Sequence, residues 1–165
     1  YRNRNVLPRA YVVGQTEVVA DEAAAIQAVL AEDFDAAGTA ILPEPLPPEI
    51  EVQSGATGNV EWVERGTDEH TLRVSADRPA LLMVLDNWHP AWEATVGGQA
   101  APVLRANHTF RAIPVPPGDH VVTLRYGADS LRGAALVSLA VLLLLVLVYV
   151  VDTWRSRRPL KNRPA

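Results

Sequence analysis

No cysteine occurs among the 165 residues, which excludes disulfide staples, thiolate nucleophiles and thiolate metal ligands. Several other chemical signatures are missing as well. No glycine-rich phosphate loop lies between a strand and a helix, and none of Ser54, Ser75, Ser130 and Ser138 sits in a G-x-S-x-G context. His70, His89, His108 and His120 lack a second histidine or a suitable carboxylate at ligand spacing, so no metal site is expected. His70 and His120 are expected to open strands as exposed imidazoles. Asp33/Asp35 and Asp68/Glu69 fall in expected loops, where a solvated face explains them better than a glycosidase pair. No catalytic residue and no cofactor is expected in this chain.

Charge is absent from one long stretch. Gly133 to Val151, GAALVSLAVLLLLVLVYVV, holds one polar side chain, Ser138, and no proline. Nineteen residues at a helical rise of about 1.5 Å span roughly 28 Å, close to the hydrocarbon core of a bilayer. A helix satisfies every backbone group there without water, so a membrane span is expected. Arg155, Arg157, Arg158, Lys161 and Arg163 follow it, whereas Arg132 stands alone before it. Excess Lys and Arg marks the cytoplasmic side, and Tyr149 and Trp154 suit the interfaces. The tail is therefore expected to be cytoplasmic and residues 1–130 extracytoplasmic. Residues 1–30 hold no charged-then-apolar leader, and the chain starts Tyr-Arg-Asn-Arg-Asn. The expectation is a C-terminal piece of a longer membrane protein, with upstream spans and the lipid bilayer as partners. A tail-anchored cytoplasmic domain is the alternative, and it would push five cations across the bilayer.

The net charge of −4 conceals a split. Ahead of Arg132 stand nine basic and 18 acidic residues, a balance near −9, while the tail is basic. An acidic outer part argues against nucleic acid as a partner. The tail suits anionic lipid.

Along the chain, Ala10 to Val13 reads as a strand ended by Gly14. Asp21 can cap a helix over Ala23–Ala31 whose Ile26, Val29 and Leu30 share one face, and Thr39 to Leu42 reads as a second strand. This suggests a small βαβ unit too small to stand alone. Pro43 to Pro48 is a stiff connector. From Asn59 the period becomes two. Expected strands run through Val60–Arg65, Leu72–Ala76, Ala80–Leu85, Trp92–Val96, Gln99–Arg105, Thr109–Val115 and His120–Tyr126. The continuously apolar Ala80–Leu85 suits a central strand covered on both faces. Gly97-Gly98 suits a two-residue hairpin, and Pro116 to Asp119 another turn. The expected fold is mainly β: an antiparallel β-sandwich with a small N-terminal α/β (βαβ) piece and one C-terminal transmembrane helix. The expected boundaries are 1–48 for the α/β piece with its connector, 49–130 for the sandwich, 131–152 for the helix and 153–165 for the tail. Gly127 to Arg132 is the only slack between sandwich and span, so the sandwich is expected to sit on the membrane surface.

The unusual cluster is Asp86-Asn87-Trp88-His89-Pro90-Ala91-Trp92. Exposed aromatics beside polar groups suit carbohydrate or partner recognition, making Trp88, His89 and Trp92 candidate contacts. Trp92 alternates with Ala94 and Val96 and is weighed chiefly as sandwich core. Trp88 can instead cover the open end. Asn107-His108-Thr109 is a formal glycosylation acceptor, and Asn107 joins the candidate contacts.

The run LLMVLDNWHPAWEATVGGQAAPVLRANHTFRAIPVPPGDHVVTLRY resembles the C-terminal outer domain of the YfhO family of bacterial polytopic membrane proteins. There a pattern like (Y/W)-x-P-G-W-x-A-x-V-(D/N)-G leads to N-x-x-F-(R/K)-A-(I/V)-x-(V/L)-P-x-G-x-H. Trp88, Pro90, Trp92, Ala94, Val96 and Gly98 match the first half. Asn107, Phe110, Arg111, Ala112, Gly118 and His120 match the second. Leu7 to Tyr11 and the final helix with its basic tail also fit. Ala91 and Gly97 depart from the pattern's glycine and acid. The resemblance implies a bacterial cytoplasmic membrane protein similar to glycosyltransferases that use polyprenyl-phosphate sugars on envelope polymers. Their catalytic acids are expected in outer loops between early spans, so none is carried over. This piece is then a non-catalytic outer domain that caps the active-site opening or holds an envelope glycan or polyprenyl-linked sugar. A membrane-anchored carbohydrate-binding or adhesion module, and a purely structural outer domain, are the alternatives.

Overall fold

The computed structural model describes residues 6–127 and 129–156; the first five residues of the polar, basic stretch 1–9, expected to be a connector, and the tail cations Arg157, Arg158, Lys161 and Arg163 lie outside the described residues. In chain order the elements are β1 (Ala10–Val13), β2 (Gln15–Val18), α1 (Glu22–Val29), β3 (Thr39–Leu42), β4 (Gly58–Arg65), β5 (Glu69–Ala76), β6 (Ala80–Asn87), β7 (Trp92–Val96), β8 (Gln99–Ala101), β9 (Leu104–Ala106), β10 (Phe110–Val115), β11 (Gly118–Tyr126) and α2 (Asp129–Ser156). They fall into two compact units, Tyr1–Tyr126 and Gly127–Ala165.

The first unit is mainly β. An antiparallel sheet of order β1-β6-β10-β9 and another of order β4-β5-β11-β7-β8 form the sandwich, and β2 and β3 make a separate parallel pair. Strand alternation sends Leu82 and Val84 of β6 and Ile113 and Val115 of β10 inward to meet Leu72, Val74, Ala94, Val122 and Leu124 of the other sheet. Full burial of such a side chain contributes about 1.5–3 kcal/mol relative to leaving it in water. Leu81 and Met83 point the other way and join Val13, Ala40, Leu42, Ala106 and Ala112 in a second cluster. Both faces of β6 are thus covered, as its unbroken apolar run requires. The parallel pair packs through this second cluster, which supplies the core it lacks alone.

Three local outcomes differ from the expectations. Ala10–Val13 is a strand, but it pairs with β6 in the sandwich, and the strand that pairs with β3 is β2. Tyr11 and Val13 pack on the second cluster while Ala10 and Val12 pack on the first, so β1 is buried on both faces. Gly14 marks the handover: a Cβ there would lie 2.5 Å from the Ala56 amide nitrogen and 2.6 Å from the Gln53 carbonyl. The strand expected over Gln99–Arg105 divides into β8, which pairs with β7, and β9, which pairs with β10 in the opposite sheet. Pro102, without an N–H to give a ladder, stands at the division. Lastly, α1 ends at Val29, and Leu30 faces solvent instead of sharing the buried side. Asp21 caps α1 as expected, with its carboxylate accepting from the Ala24 amide at 2.7 Å.

The second unit contains α2, 28 residues that extend the apolar run at both ends. Leu136–Trp154 is long and apolar enough to cross a membrane. Its leucines and valines from Leu136 to Val151 are all exposed.

Candidate functional site

One end of the sandwich departs from an apolar interior. The inward columns that carry Val84, Ile113 and Leu72 continue into Asp86, Arg111 and His70, each a polar side chain at an inward position. A register shift helps place Asp86. Phe110 pairs with Asn87 but Arg111 pairs with Val84, which leaves Leu85 and Asp86 bulged out of the ladder. The Asp86 carboxylate then pairs with Arg9 and lies 3.6 Å from Arg111 and 3.9 Å from His70.

Aromatic rings bind this polar end to the core. His70 stacks on Trp92 with centroids 5.3 Å apart and meets Trp62 edge-on at 5.6 Å. The Arg111 guanidinium carbon lies 3.9 Å from the Trp92 ring centroid, and that of Arg65 lies 5.4 Å from Trp62. The result is a ladder of arginine, tryptophan, histidine, tryptophan and arginine, with cation–π attraction at both ends. An open cleft of about 590 Å³ lies over it, lined among others by Arg9, Arg65, His70, Asp86, Trp92 and Arg111. Burial holds the His70 imidazole below its ordinary pKa; Arg111 and Arg65 add to the effect and Asp86 opposes it. Burial also lowers the Arg111 guanidinium, against the opposing Asp86 charge, but an arginine remains a cation.

A second concavity lies on the other face of the four-stranded sheet. Trp88 donates its indole N–H to the Val103 carbonyl at 2.9 Å, which leaves its ring half-buried beside the proline-rich connector. Trp88, Leu104, Arg105, Leu42, Pro43 and Leu46 are among the residues bordering a groove of about 430 Å³. Beyond Arg105 a neighbouring hollow of about 240 Å³ reaches Glu22 and His108. Arg105 bonds Glu22 at 2.8 Å and donates through Nε to the His108 carbonyl. That contact holds the exposed Glu22 carboxyl below its ordinary range. An indole ring and a guanidinium along one groove, with a carboxylate in the hollow beside it, can accept a glycan by stacking and by hydroxyl hydrogen bonds.

The four residues singled out in the sequence do not converge. Trp88 borders the groove and Trp92 borders the cleft, packed on the core's edge in line with its alternation. His89 is exposed, and its Nδ1 accepts from the Ala91 amide at 3.1 Å and lies 3.3 Å from the Tyr126 hydroxyl. Asn107 is buried and occupied: Oδ1 accepts from the Ile41 amide at 2.8 Å, and the Asn107 amide donates to the Ile41 carbonyl. It is not presented to a glycan, and a buried amide is not an accessible acceptor for glycosylation. His70, expected as an exposed imidazole, is buried between tryptophans. The missed residues are His70, Asp86, Arg9, Arg65 and Arg105. Parity alone flags His70 with Leu72 and Asp86 with Val84, but Arg9 and Arg65 reach the cleft from outside the inward columns. Among the described residues no three His, Asp or Glu side chains are grouped to hold a metal ion. No family model, curated protein or solved structure matches this chain.

Proposed function

We propose that this chain is the non-catalytic outer β-sandwich and final membrane span of a polytopic, YfhO-like envelope glycosyltransferase of a bacterial cytoplasmic membrane. In this reading the enzyme uses polyprenyl-phosphate sugars, and the Trp88 groove holds the glycan acceptor while chemistry proceeds on other parts of the protein. The supporting observation is how the two halves of the resembling motif meet. Trp92 of the first half stacks on Arg111 of the second. The Trp88 amide donates to the Thr109 carbonyl, between Asn107 and Phe110 of the second half, at 2.7 Å. The motif therefore specifies a folded end of a sandwich, with Trp88 left beside an open groove.

The orientation is testable with single cysteines placed in this cysteine-free stretch, in a parent protein whose other cysteines are replaced. An impermeant maleimide should label Asp119→Cys in intact spheroplasts and Ala165→Cys only after lysis. The reverse pattern overturns the reading. For the groove, the full chain in neutral detergent should be retained by envelope polymer, and Trp88→Ala should weaken retention roughly tenfold, the equivalent of ~1.4 kcal/mol. Trp88→Phe, which keeps a ring, should retain most of the binding.

The groove also supports a second reading, a membrane-anchored carbohydrate-binding module that serves no transferase. Deleting residues 49–126 from the parent protein separates the two. Assembled protein that no longer uses its acceptor favours the transferase reading, whereas loss of glycan retention from a parent that shows no sugar transfer with or without the deletion favours the second.

A further inference from the structure

The cleft at the sandwich end contains more positive charge than the fold uses. Ahead of the span the chain has twice as many acidic as basic residues, yet Arg9, Arg65 and Arg111 line this one cleft with Asp86 as the facing carboxylate. Asp86 neutralises one guanidinium, so the cleft is a local positive focus in an otherwise acidic module. Two buried polar atoms behind it also lack partners among the described residues. Nη1 of Arg111, a residue 3% exposed, and Nδ1 of His70, a residue 5% exposed, have no hydrogen-bond partner there. Leaving such a buried group unmatched is destabilising, and more so when the group is charged.

Interior packing alone does not account for this arrangement. An apolar residue at position 111 would continue the column of Ile113 and Val115 without a buried charge. Instead the guanidinium is held flat against Trp92, while Asp86, at 3.6 Å, reaches only part of its fork. An oxyanion entering the cleft would meet the exposed guanidiniums of Arg9 and Arg65 as charge-assisted donors, with the buried Arg111 charge behind them. A tetrahedral anion with several oxygens fits this better than a carboxylate, because the donors approach from separate strands and a preceding loop.

We propose that the cleft is a binding site for a phosphate group, either inorganic phosphate or a phosphomonoester, held by Arg9 and Arg65 over the buried positive charge of Arg111. Asp86 orients Arg9 and Arg111 and keeps the empty site from carrying all three cations unpaired. The site is separate from the Trp88 groove, so its existence does not depend on the transferase reading.

The test uses the full chain in phosphatidylcholine nanodiscs, titrated with inorganic phosphate against chloride at matched ionic strength. Trp62 and Trp92, in contact with the arginines, supply a fluorescence readout, and the melting temperature supplies a second. Phosphate should give a saturable fluorescence change and a rise in Tm that chloride does not give. Arg65→Gln and Arg9→Gln should each weaken binding roughly tenfold, the loss of one charge-assisted hydrogen bond. Arg73→Gln, which removes an exposed guanidinium paired with Glu61, should leave it unchanged. Arg111→Gln is a poor probe because burial ties that residue to folding, so the argument rests on the two exposed-side variants. Discs doped with phosphatidic acid or with an anionic sulfolipid distinguish the source. Suppression of the phosphate response by phosphatidic acid alone supports a lipid headgroup. An equal response in both kinds of disc supports soluble phosphate. No saturable response, or one unchanged in both Arg65→Gln and Arg9→Gln, overturns the proposal.

Discussion

A buried side-chain carbonyl is tolerated only where it is matched, and the Asn107 Oδ1 meets that condition while the residue also turns the chain. Its φ of 46° and that of His108, 68°, lie in the left-handed region, which asparagine tolerates better than most residues. Its side chain and amide together satisfy both backbone groups of Ile41. Asn107→Ala should therefore destabilise the chain by about 1–3 kcal/mol in denaturant titration. Asn107→Asp, which keeps the acceptor, should cost less. His70 makes a second residue-scale prediction. Its folded pKa is lowered, so the folded state binds this proton less readily than the unfolded chain. The stability it contributes is complete above the ordinary histidine value of about 6.5 and is lost as pH falls towards the folded pKa. The groups facing it are Asp86, Arg111 and Arg65. Tm should drop between pH 7 and pH 5, and His70→Gln should flatten that part of the profile.

At the scale of elements, local chemistry decided where strands stop more than where they start. Gly14 separates two strands that belong to different sheets, and its missing side chain lets the loop backbone at Gln53 and Ala56 approach. Gly14→Ala should destabilise the first unit by about 1–3 kcal/mol in thermal or urea melts, because the atoms a Cβ would meet include backbone. The β7–β8 hairpin follows its sequence closely. Gly97 and Gly98 both have positive φ, 59° and 82°, as a type I′ turn requires. Most strand positions, the Asp21 cap and the doubly covered β6 were legible for the same reason: each is set by neighbours within a few residues. The sheet to which β1 belongs, and the division between β8 and β9, were not. Pairing partners are chosen by burial across the fold, and neither Ala10–Val13 nor Gln99–Arg105 carries that information locally.

For the molecule as a whole, α2 is the element whose surroundings matter most. Its leucines and valines are exposed over the whole candidate span, an apolar surface far beyond what a water-facing helix tolerates. The helix is long and apolar enough to cross a membrane, where such a surface would meet lipid. Leu145→Arg, near the middle of Leu136–Trp154, should cost about 2.5–3.5 kcal/mol of insertion free energy. The checking measurement is the share of chain that resists carbonate extraction from membranes, which should fall for Leu145→Arg and remain high for Leu145→Ile.

The amino-acid sequence by itself determined the mainly β character of the first unit, the helix built from Gly133–Val151, and most turns and strand spacings. Periodicity, proline and glycine act locally, and a long uncharged run has few alternatives to a helix in lipid. Only the tertiary structure decided that Trp88 and Trp92, four residues apart, open onto different concavities. It also decided that Asn107 is consumed inside the fold, and that His70, Asp86 and Arg111 meet beneath Arg9 and Arg65. Those residues come from β5, β6, β10, the end of β4 and the residue before β1, and only sheet pairing and the β6 bulge bring them to one place.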